Sequence, residues 1–286
     1  MPTRLCVVGS VNADLTFTVQ ALPRPGETVL ASSLSQAPGG KGGNQAVAAA
    51  RAGAQVQLVA ALGTDAAAGQ LRAHLSANSV GLAGLETVPG PSGSAAILVD
   101  ADAENCIVVA PGANAHLSAT SPRVQAVIAD SDVVLLSLEI PIETAITVAR
   151  VARSAGATVV LNASPAPREI TVLAGLVDAV VVNETEAGDW LDGDRPRVAH
   201  LIVTRGARGA TYFGATRTDV AAPAVEAVDT TGAGDVFAGV LAAHWPRGVA
   251  HALSRACAAG ALATLVPGAG DCAPTREAVE DVLDLP

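Results

Sequence analysis

The sequence predicts an α/β fold in which helices flank a central, mostly parallel sheet and a small β-sheet lid covers one edge of that sheet. Short β-branched apolar runs alternate along the chain with longer Ala-rich segments, which is the pattern of repeated strand–helix units. The runs are apolar almost throughout, as expected of strands covered on both faces. Two segments, at about 15–35 and 94–109, instead alternate apolar and polar residues around turn residues. We assign these two segments to the lid.

Taken in order, the apolar runs predict strands at 5–8, 56–60, 133–136, 158–161, 179–182 and 201–204. The Ala-rich segments predict helices at 44–52, 66–79, 142–155, 235–243, 251–265 and 276–283. Ligands of open α/β sheets bind beyond the carboxyl ends of the strands, so we expect the lid there. No repeat or low-complexity linker divides the chain, and we expect residues 1–286 to form a single domain.

Composition excludes several classes of function. The chain has 17 Lys and Arg against 27 Asp and Glu, a net charge of −10, and no basic run, which argues against a nucleic-acid partner. The four cysteines are far apart in the sequence and predict neither a zinc site nor a disulfide framework. The first residues are unlike a signal peptide, and the longest apolar stretch, 256–266, is shorter than the ~18 residues of a membrane span. We therefore expect a cytoplasmic protein with reduced thiols and no membrane contact.

The segment EAVDTTGAGDVFAG predicts a glycine loop that opens a helix. Gly232 and Gly234 allow positive φ and close approach of a ligand, and an apolar run of helical length follows Asp235. Unpaired N–H groups at a helix N-terminus attract anions such as phosphate. Asp235 is either an ordinary helix cap or a general base beside a phosphate pocket. The loop alone leaves both interpretations open.

Polar residues follow several of the predicted strands. GSVNAD places Asn12 and Asp14 after the first strand, and PGGKGGNQ places Lys41 and Asn44 before a helix. The second motif is not a P-loop, because Gly43 stands where Ser or Thr would follow the lysine, and the first strand does not lead into a dinucleotide-binding GxGxxG. Carboxylates and carboxamides suit a neutral polyhydroxylated ligand, because sugar hydroxyls need both donors and acceptors.

Further strand ends carry the same kinds of side chain. Glu139 follows an all-apolar strand, and Asn183 and Glu186 follow another within VVVNETEA. Such an Asn and Glu can begin a helix, hold a hydrated Mg²⁺, or do both. The loop VTRGARGA then predicts a tight turn on which a nucleotide can lie close to the backbone.

In order and spacing, these motifs resemble those of the ribokinase family, the phosphofructokinase-B-type carbohydrate kinases. The resemblance covers nearly the whole chain and is most specific in GGKGGNQAVAAA and DTTGAGD; GSVNADLTFTVQALPRPGETV, PGANAHLS, VNETEA and VTRGARG support it. It implies a ribokinase-like fold. It also implies that the sugar is surrounded by Asn12, Asp14, Gly40, Lys41, Asn44, Glu139 and Asp235. Asp235 would be the base, and the N–H groups of Gly232, Ala233 and Gly234 would form the anion hole.

The resemblance also implies ATP, Mg²⁺ and a monovalent cation, usually K⁺. The residues matched to the ATP site are Asn183, Thr204, Gly206, Gly209, Gly234 and Cys257. Glu186 marks the Mg²⁺ region, and the K⁺ positions are Asp229, Thr231, Ala263, Val266 and Gly268. The chain departs from the family pattern at Cys257 and at Cys272, which replaces a small hydroxyl residue, and in a shortened segment after Trp190.

From these motifs we expect an ATP-dependent kinase that phosphorylates the 5-hydroxyl of D-ribose. The first alternative is a kinase of the same family for deoxyribose, a ketose, a sugar acid or a nucleoside. The second is a sugar-binding regulator without catalysis, which the intact Asp235 and Gly-Ala-Gly argue against. The exposed edge strands of a β lid commonly pair with a second copy, so we also expect a homodimer through the lid.

Overall fold

A computed structural model describes residues 1–102, 104–167, 170–193 and 195–284. The helices are α1 Lys41–Arg51, α2 Ala66–Ala77, α3 Pro122–Ala129, α4 Ile142–Ser154, α5 Thr171–Ala174, α6 Ala233–His244, α7 Val249–Ala263 and α8 Arg276–Leu283. The strands are β1 Arg4–Val8, β2 Asn12–Thr18, β3 Ser33–Gly39, β4 Gln55–Val59, β5 Ala61–Leu62, β6 Glu86–Thr87, β7 Gly93–Val99, β8 Asn105–Ala110, β9 Val133–Ser137, β10 Thr158–Asn162, β11 Ala179–Asn183, β12 Leu191–Asp192, β13 Arg195–Pro196, β14 His200–Thr204, β15 Ala210–Phe213 and β16 Arg217–Val220.

The central sheet has eight strands in the order β16–β15–β14–β11–β10–β9–β1–β4. Its six strands from β14 to β4 are parallel, and β15 and β16 extend it antiparallel at one edge. All six predicted strands are present, each displaced by no more than one residue at either end. The predicted α/β class with a mostly parallel sheet is therefore confirmed.

Alternate side chains of each central strand enter two different cores. Leu5 and Val7 of β1 pack with α1, α2, α6, α7 and α8 on one face, whereas Cys6 and Val8 pack with α3, α4 and α5 on the other. This follows from the two-residue period of a strand, and it explains why the runs are apolar throughout. No helix in the described ranges is long and apolar enough to cross a membrane.

The lid is a separate four-stranded sheet in the order β3–β2–β7–β8. It contains both predicted segments, but its first strand begins at Asn12, so Asn12 and Asp14 lie on a lid strand and not in a turn after β1. Residues 19–32, which we expected within a hairpin, form neither helix nor strand. Pro23 and Pro25 lack the N–H that a strand ladder needs.

The predicted elements do not include helices α3 and α5 or the strand pairs β5–β6, β12–β13 and β15–β16. Helix α3 begins at Ser121, whose hydroxyl accepts a hydrogen bond from the N–H of Val124, with Pro122 in the first turn. That Ser-Pro pair is a helix-start signal present in the sequence. In the shortened segment after Trp190, β12 and β13 form a two-stranded antiparallel pair.

Candidate active site

The glycine loop enters α6 with Gly232 in the left-handed conformation, at φ 79°. A Cβ at Gly232 would lie 2.8 Å from Cα of Ala269, so both φ and space require glycine there. Gly232 is the N-cap of α6 and no side chain caps the helix, which leaves its first N–H groups available to an anion. Asp235 follows in the first turn with 8% of its surface exposed. Its carboxylate faces α1, so the helix-cap interpretation of Asp235 does not hold.

The Asp235 carboxylate is held by side chains of α1. Asn44 Nδ2 donates to Oδ2 at 3.1 Å, and Gln45 Nε2 donates to Oδ1 at 3.0 Å. Lys41 Nζ lies 3.9 Å from Oδ1. Attraction by Asp235 is the main cause that raises the pKa of Lys41, with smaller contributions from Glu139 and Glu186, while burial opposes them. Lys41 is therefore charged at neutral pH beside the carboxylate.

Close packing of glycines brings α1 against the strand ends. Gly40 has φ 85°, and a Cβ there would lie 2.7 Å from the backbone N of Asn12. Gly42 packs in the same way on Gly9, where a Cβ would lie 2.6 Å from the carbonyl carbon. These contacts explain the glycines on either side of Lys41, because any side chain would push the start of α1 away from the site.

The lid contributes Asn12 and Asp14. Asn12 Oδ1 accepts a hydrogen bond of 2.8 Å from Asn114 Nδ2, and Asn114 Oδ1 accepts one from the N–H of Val11. Asp14 Oδ1 is buried and has no hydrogen-bond partner among the described residues. Burial, and then the neighbouring charges of Glu139 and Asp235, raise the pKa of Asp14 to about 6. An unpartnered buried acceptor of this kind is suited to a ligand hydroxyl.

Glu139 closes the other side of the cleft. Its Oε2 accepts hydrogen bonds from Ser10 Oγ at 2.5 Å and from the N–H of Lys41 at 3.4 Å. A cavity of about 500 Å³ lies here, and its polar lining includes Asn12, Lys41, Asn114 and Glu139. The structure thus brings Asn12, Lys41 and Glu139 together around one cleft. Asp14 lies two residues from Asn12 on the same lid strand, and Asp235 lies beside Lys41.

Asn183 and Glu186 form a turn at the end of β11. Asn183 Oδ1 accepts hydrogen bonds from the N–H groups of Thr185 and Glu186 and from the Thr185 hydroxyl, while Glu186 Oε2 accepts one from the N–H of Asn183. The turn therefore uses the Asn183 side chain locally. In the described part of the chain, no three His, Cys, Asp or Glu side chains cluster as metal ligands. A hydrated Mg²⁺ needs only one or two carboxylates, and Glu186 is near enough to Lys41 to influence its charge.

The loop after β14 combines a close backbone with two arginine side chains, Arg205 paired with Asp219 and Arg208 paired with Glu184. Thr204 Oγ1 donates to the carbonyl of Val182, and Gly206 and Gly209 have φ of 56° and 85°. A Cβ at Gly209 would lie 2.0 Å from the Val220 carbonyl oxygen, so this turn requires glycine. Cys257 is buried behind the same segment, and burial raises the pKa of its thiol to about 11. Cys257 is therefore a neutral, largely apolar wall.

Asp229 joins the two loops predicted to hold K⁺. Its Oδ1 accepts from the N–H of Thr231 and its Oδ2 from the N–H of Gly268, both at 2.8 Å. Burial acts to raise the pKa of Asp229, but the hydrogen bonds from Thr231 and Gly268 outweigh it and lower that pKa. Ala263 is buried at the end of α7, and Val266 is partly exposed on the loop that follows. A carboxylate with backbone carbonyls is a donor set that suits a hard cation.

The second of these loops is fastened to α1 and to the lid. Arg51 donates from Nη1 to the carbonyls of Asp271 and Ala273, from Nη2 to the Asp271 carboxylate, and from Nε to Asn78. Gly270 packs on Pro38 of β3, where a Cβ would lie 2.2 Å from the proline carbonyl oxygen. The Cys272 thiol lies between the loops, 3.3 Å from the Ala269 carbonyl.

Sequence reasoning missed three polar residues of this region. Gln45 holds Asp235, Ser10 holds Glu139, and Asn114 holds Asn12. Asn114 lies in the PGANAHLS motif and Gln45 in the GGKGGNQ motif, so both were within recognised segments. Only the packing of distant elements shows which neighbour each side chain contacts.

The chain is similar to known proteins over its whole length. A family profile described as pfkB family carbohydrate kinase matches residues 2–276. The ribokinase of Haemophilus influenzae is 35% identical, and the alignment covers 99% of each chain. Two solved structures resemble the fold over 100% of both chains: the ribokinase of Thermotoga maritima, with a TM-score of 0.91 and 30% identity, and the ribokinase of Arabidopsis thaliana complexed with ribose and ATP, with a TM-score of 0.89 and 31% identity. This chain belongs to the pfkB family of carbohydrate kinases.

Proposed function

We propose that this protein is an ATP-dependent kinase that transfers the γ-phosphoryl group of ATP to the 5-hydroxyl of D-ribose. The observation that carries this proposal is the buried Asp235 carboxylate in the first turn of α6, beside uncapped helix N–H groups and a polar cleft. Base, anion site and acceptor pocket meet at one helix end. The similarity to ribokinases supports ribose as the acceptor.

In the proposed reaction, Asp235 accepts the proton of the sugar hydroxyl as the oxygen attacks the γ-phosphorus. The O–P bond forms, the bond to the leaving ADP oxygen breaks, and the N–H groups of Gly232, Ala233 and Gly234 stabilise the negative charge of the transferring group. Positioning and charge stabilisation are the main requirements of phosphoryl transfer. Lys41, charged and close to Asp235, adds positive charge to the same region.

Sugar binding is assigned to the lid and to α1. Asp14 has an unpartnered oxygen that accepts a hydrogen bond from a sugar hydroxyl, and Glu139 accepts one on the opposite side. Asn12 and Asn44 supply side-chain amides, and Gly40 supplies its backbone. Hydrogen-bond acceptors on both sides of the cleft, with amide donors between them, suit a small polyol, whose hydroxyls both donate and accept. The same cavity is also lined by Val109, Leu138 and Ile140, so the choice between ribose and a nucleoside is left to the acceptor assay.

The nucleotide is assigned to the loops after β11 and β14. Thr204, Gly206 and Gly209 offer a close backbone, Cys257 forms an apolar wall behind it, Asn183 lies beside it, and Gly234 contacts the phosphates. When bound, Mg²⁺ supplies charge neutralisation between the phosphates, and Glu186 is the residue that would hold its water shell.

We further infer a K⁺ site formed by Asp229 and Thr231 with the carbonyls of Ala263, Val266 and Gly268. The Asp229 carboxylate already ties the loop that precedes the anion hole to the loop after α7. A cation there would order the anion hole without contacting the sugar. Cys272 stands at the edge of this arrangement as a neutral thiol, because burial raises its pKa to about 11.

We also propose one domain, 1–286, that forms a homodimer through the lid in the cytoplasm. Two cores that share one sheet support the single domain.

The lid leaves apolar side chains exposed, among them Leu34 at 59% and Val108 at 63%, which supports pairing with a second copy. Light scattering at micromolar concentration should give twice the chain mass, and Val108→Asp should give the monomer; a monomeric parent protein would refute the dimer.

The function is tested by ADP release with Mg·ATP across ribose, deoxyribose, fructose, 2-keto-3-deoxygluconate, adenosine and pseudouridine, each with and without K⁺. We expect the highest kcat/KM on ribose and a rise with K⁺. Preference for another acceptor would keep the chemistry and change the substrate. Ribose binding without turnover on any acceptor would support the regulator instead.

A further inference from the structure

Gln45 is a buried polar side chain whose amide reaches the candidate base. It lies in the first turns of α1 with none of its surface exposed, and its Nε2 is 3.0 Å from Oδ1 of Asp235. A carboxylate is an acceptor only, so the amide NH₂ is the end that faces it. Gln45 therefore donates a hydrogen bond to Asp235 from the protein interior.

The other end of this amide has no hydrogen bond. Gln45 Oε1 is buried and finds no partner within the described residues. A buried acceptor without a partner is destabilising, and an unbranched apolar side chain of the same length would fill the space without that cost. Stability alone therefore does not account for glutamine at this position, whereas its contact with Asp235 does.

Three side chains of the described structure approach the Asp235 carboxylate, and they differ in access to the cleft. Lys41 lines the cavity with a quarter of its side chain exposed, and Asn44 is bonded to the other carboxylate oxygen, Oδ2. Lys41 can turn from Asp235 to a bound sugar because it is open to the cavity, whereas Asn44 has only 7% of its surface exposed. Gln45 is completely enclosed, so its bond to Oδ1 persists whether or not the sugar is present.

A glycine of α6 makes this contact possible. A Cβ at Gly239 would lie 2.4 Å from the carbonyl oxygen of Gln45 and 3.0 Å from Cβ of Ala48. Only glycine allows α1 to approach α6 this closely, one turn after Asp235. The spacing of the two helices therefore sets how far the Gln45 amide reaches along the carboxylate.

We propose that Gln45 is a positioning residue, which holds Oδ1 of Asp235 and so fixes the orientation in which the carboxylate receives the proton of the acceptor hydroxyl. The proposal rests on the proposed kinase function and deepens it. Gln45 does not contact the sugar or ATP, so its effect is confined to the orientation of the base. A small error in that orientation lowers the rate of the chemical step more than it lowers substrate affinity.

The first test is Gln45→Met, which keeps the length of the side chain and removes the donor. We expect kcat to fall by about 10- to 100-fold, with KM for ribose and for ATP changed by less than about twofold. The melting temperature should change little, because the unpartnered oxygen and the hydrogen bond to Asp235 are lost together. A kcat within twofold of the parent protein would overturn the proposal, and so would a lower melting temperature with kcat and both KM values changed together.

The second test asks whether Gln45 acts through Asp235. In an Asp235→Asn background the carboxylate is already lost, so Gln45→Met should change the residual turnover by less than about twofold. The same fractional loss in both backgrounds would overturn the proposal. Turnover of ribose by the parent protein in the same assay tests the proposed function separately. If the parent protein phosphorylates another acceptor, the ratio of variant kcat to parent kcat is measured with that acceptor.

A variant that leaves Gln45 in place provides an independent check. Gly239→Ala should separate α1 from α6 and lower kcat, whereas Gly260→Ala is the matched control. Gly260 also lies in a helix packed on α6, but a Cβ there meets its nearest atom, the Ala233 carbonyl oxygen, at 3.5 Å. We expect full activity for Gly260→Ala. Full activity for Gly239→Ala as well would contradict the proposed dependence on helix spacing.

Discussion

The acceptor side and the nucleotide side of the cleft are built differently. On the acceptor side, hydrogen bonds join segments far apart in sequence, such as Asn12 to Asn114 and Asn44 to Asp235, and these side chains are buried. On the nucleotide side, Asn183 is exposed and bonds within its own turn. The sugar pocket is thus enclosed by buried side chains, whereas the nucleotide surface is formed by backbone and by exposed side chains such as Arg208, which pairs with Glu184. Substitutions should affect the first region more than the second.

The largest effect is expected at the point where the two regions meet. Asp235→Asn keeps the shape of the side chain and removes the base, so turnover should fall by at least about 100-fold. Ribose and ATP binding, measured by calorimetry, should remain. Near-full kcat in this variant would show that another group accepts the proton.

The next effect is expected for Asp14→Asn, which should weaken ribose binding but raise the stability of the folded protein. Asp14→Asn should weaken ribose binding by about 10-fold, because one charged acceptor oxygen is replaced by an amide NH₂ that can only donate. In the folded protein the pKa of Asp14 is about 6, raised above its ordinary value by burial first and then by Glu139 and Asp235. Above that pH the native state carries an unfavourable buried charge, which the asparagine variant lacks.

Thermal unfolding at two pH values checks the sign of this effect. At pH 7.5 Asp14→Asn should melt at a higher temperature than the parent protein. At pH 5, where Asp14 binds a proton in the folded protein but not in the unfolded chain, the gain should be smaller. For the parent protein, kcat/KM on ribose should fall as the pH is lowered through about 6. A gain in melting temperature that is the same at both pH values would contradict the charge explanation.

An effect of similar size, on kcat and not on ribose binding, is expected at the loops behind the anion hole. Asp229→Ala removes the carboxylate that joins Thr231 to Gly268, so kcat should fall by about 10-fold, less than for loss of an anion-hole donor itself. Activation by K⁺, measured by titration of KCl at constant ionic strength, should be lost. Unchanged activation would place the cation elsewhere.

The smallest effect is expected for a substitution on the nucleotide side. Thr204→Val removes one hydrogen bond, to the carbonyl of Val182, and should change KM for ATP by no more than about threefold. Steady-state kinetics with varied ATP measures this. A loss as large as that for Asp14→Asn would contradict the distinction between a buried acceptor side and an exposed nucleotide side.

The sequence predicted the six parallel strands of the central sheet well because each of them is buried and apolar on both faces. The sequence predicted element boundaries and side-chain partners less well where contacts between distant segments determine them. The first polar residues after β1 belong to a lid strand, since β2 pairs with both β3 and β7. Gln45 was missed for a related reason: adjacent Asn and Gln on α1 look alike in sequence, and only the approach of α6 at Gly239 brings both onto Asp235.

The Arg51 side chain joins three segments that the chain order keeps apart: α1, the end of α2 at Asn78, and the loop at Asp271–Ala273. Amide protons in segments fastened in this way exchange with solvent through a shared opening and not one by one. Native-state hydrogen exchange should therefore report one opening free energy for all three, and Arg51→Lys, which cannot reproduce the forked geometry, should divide that unit.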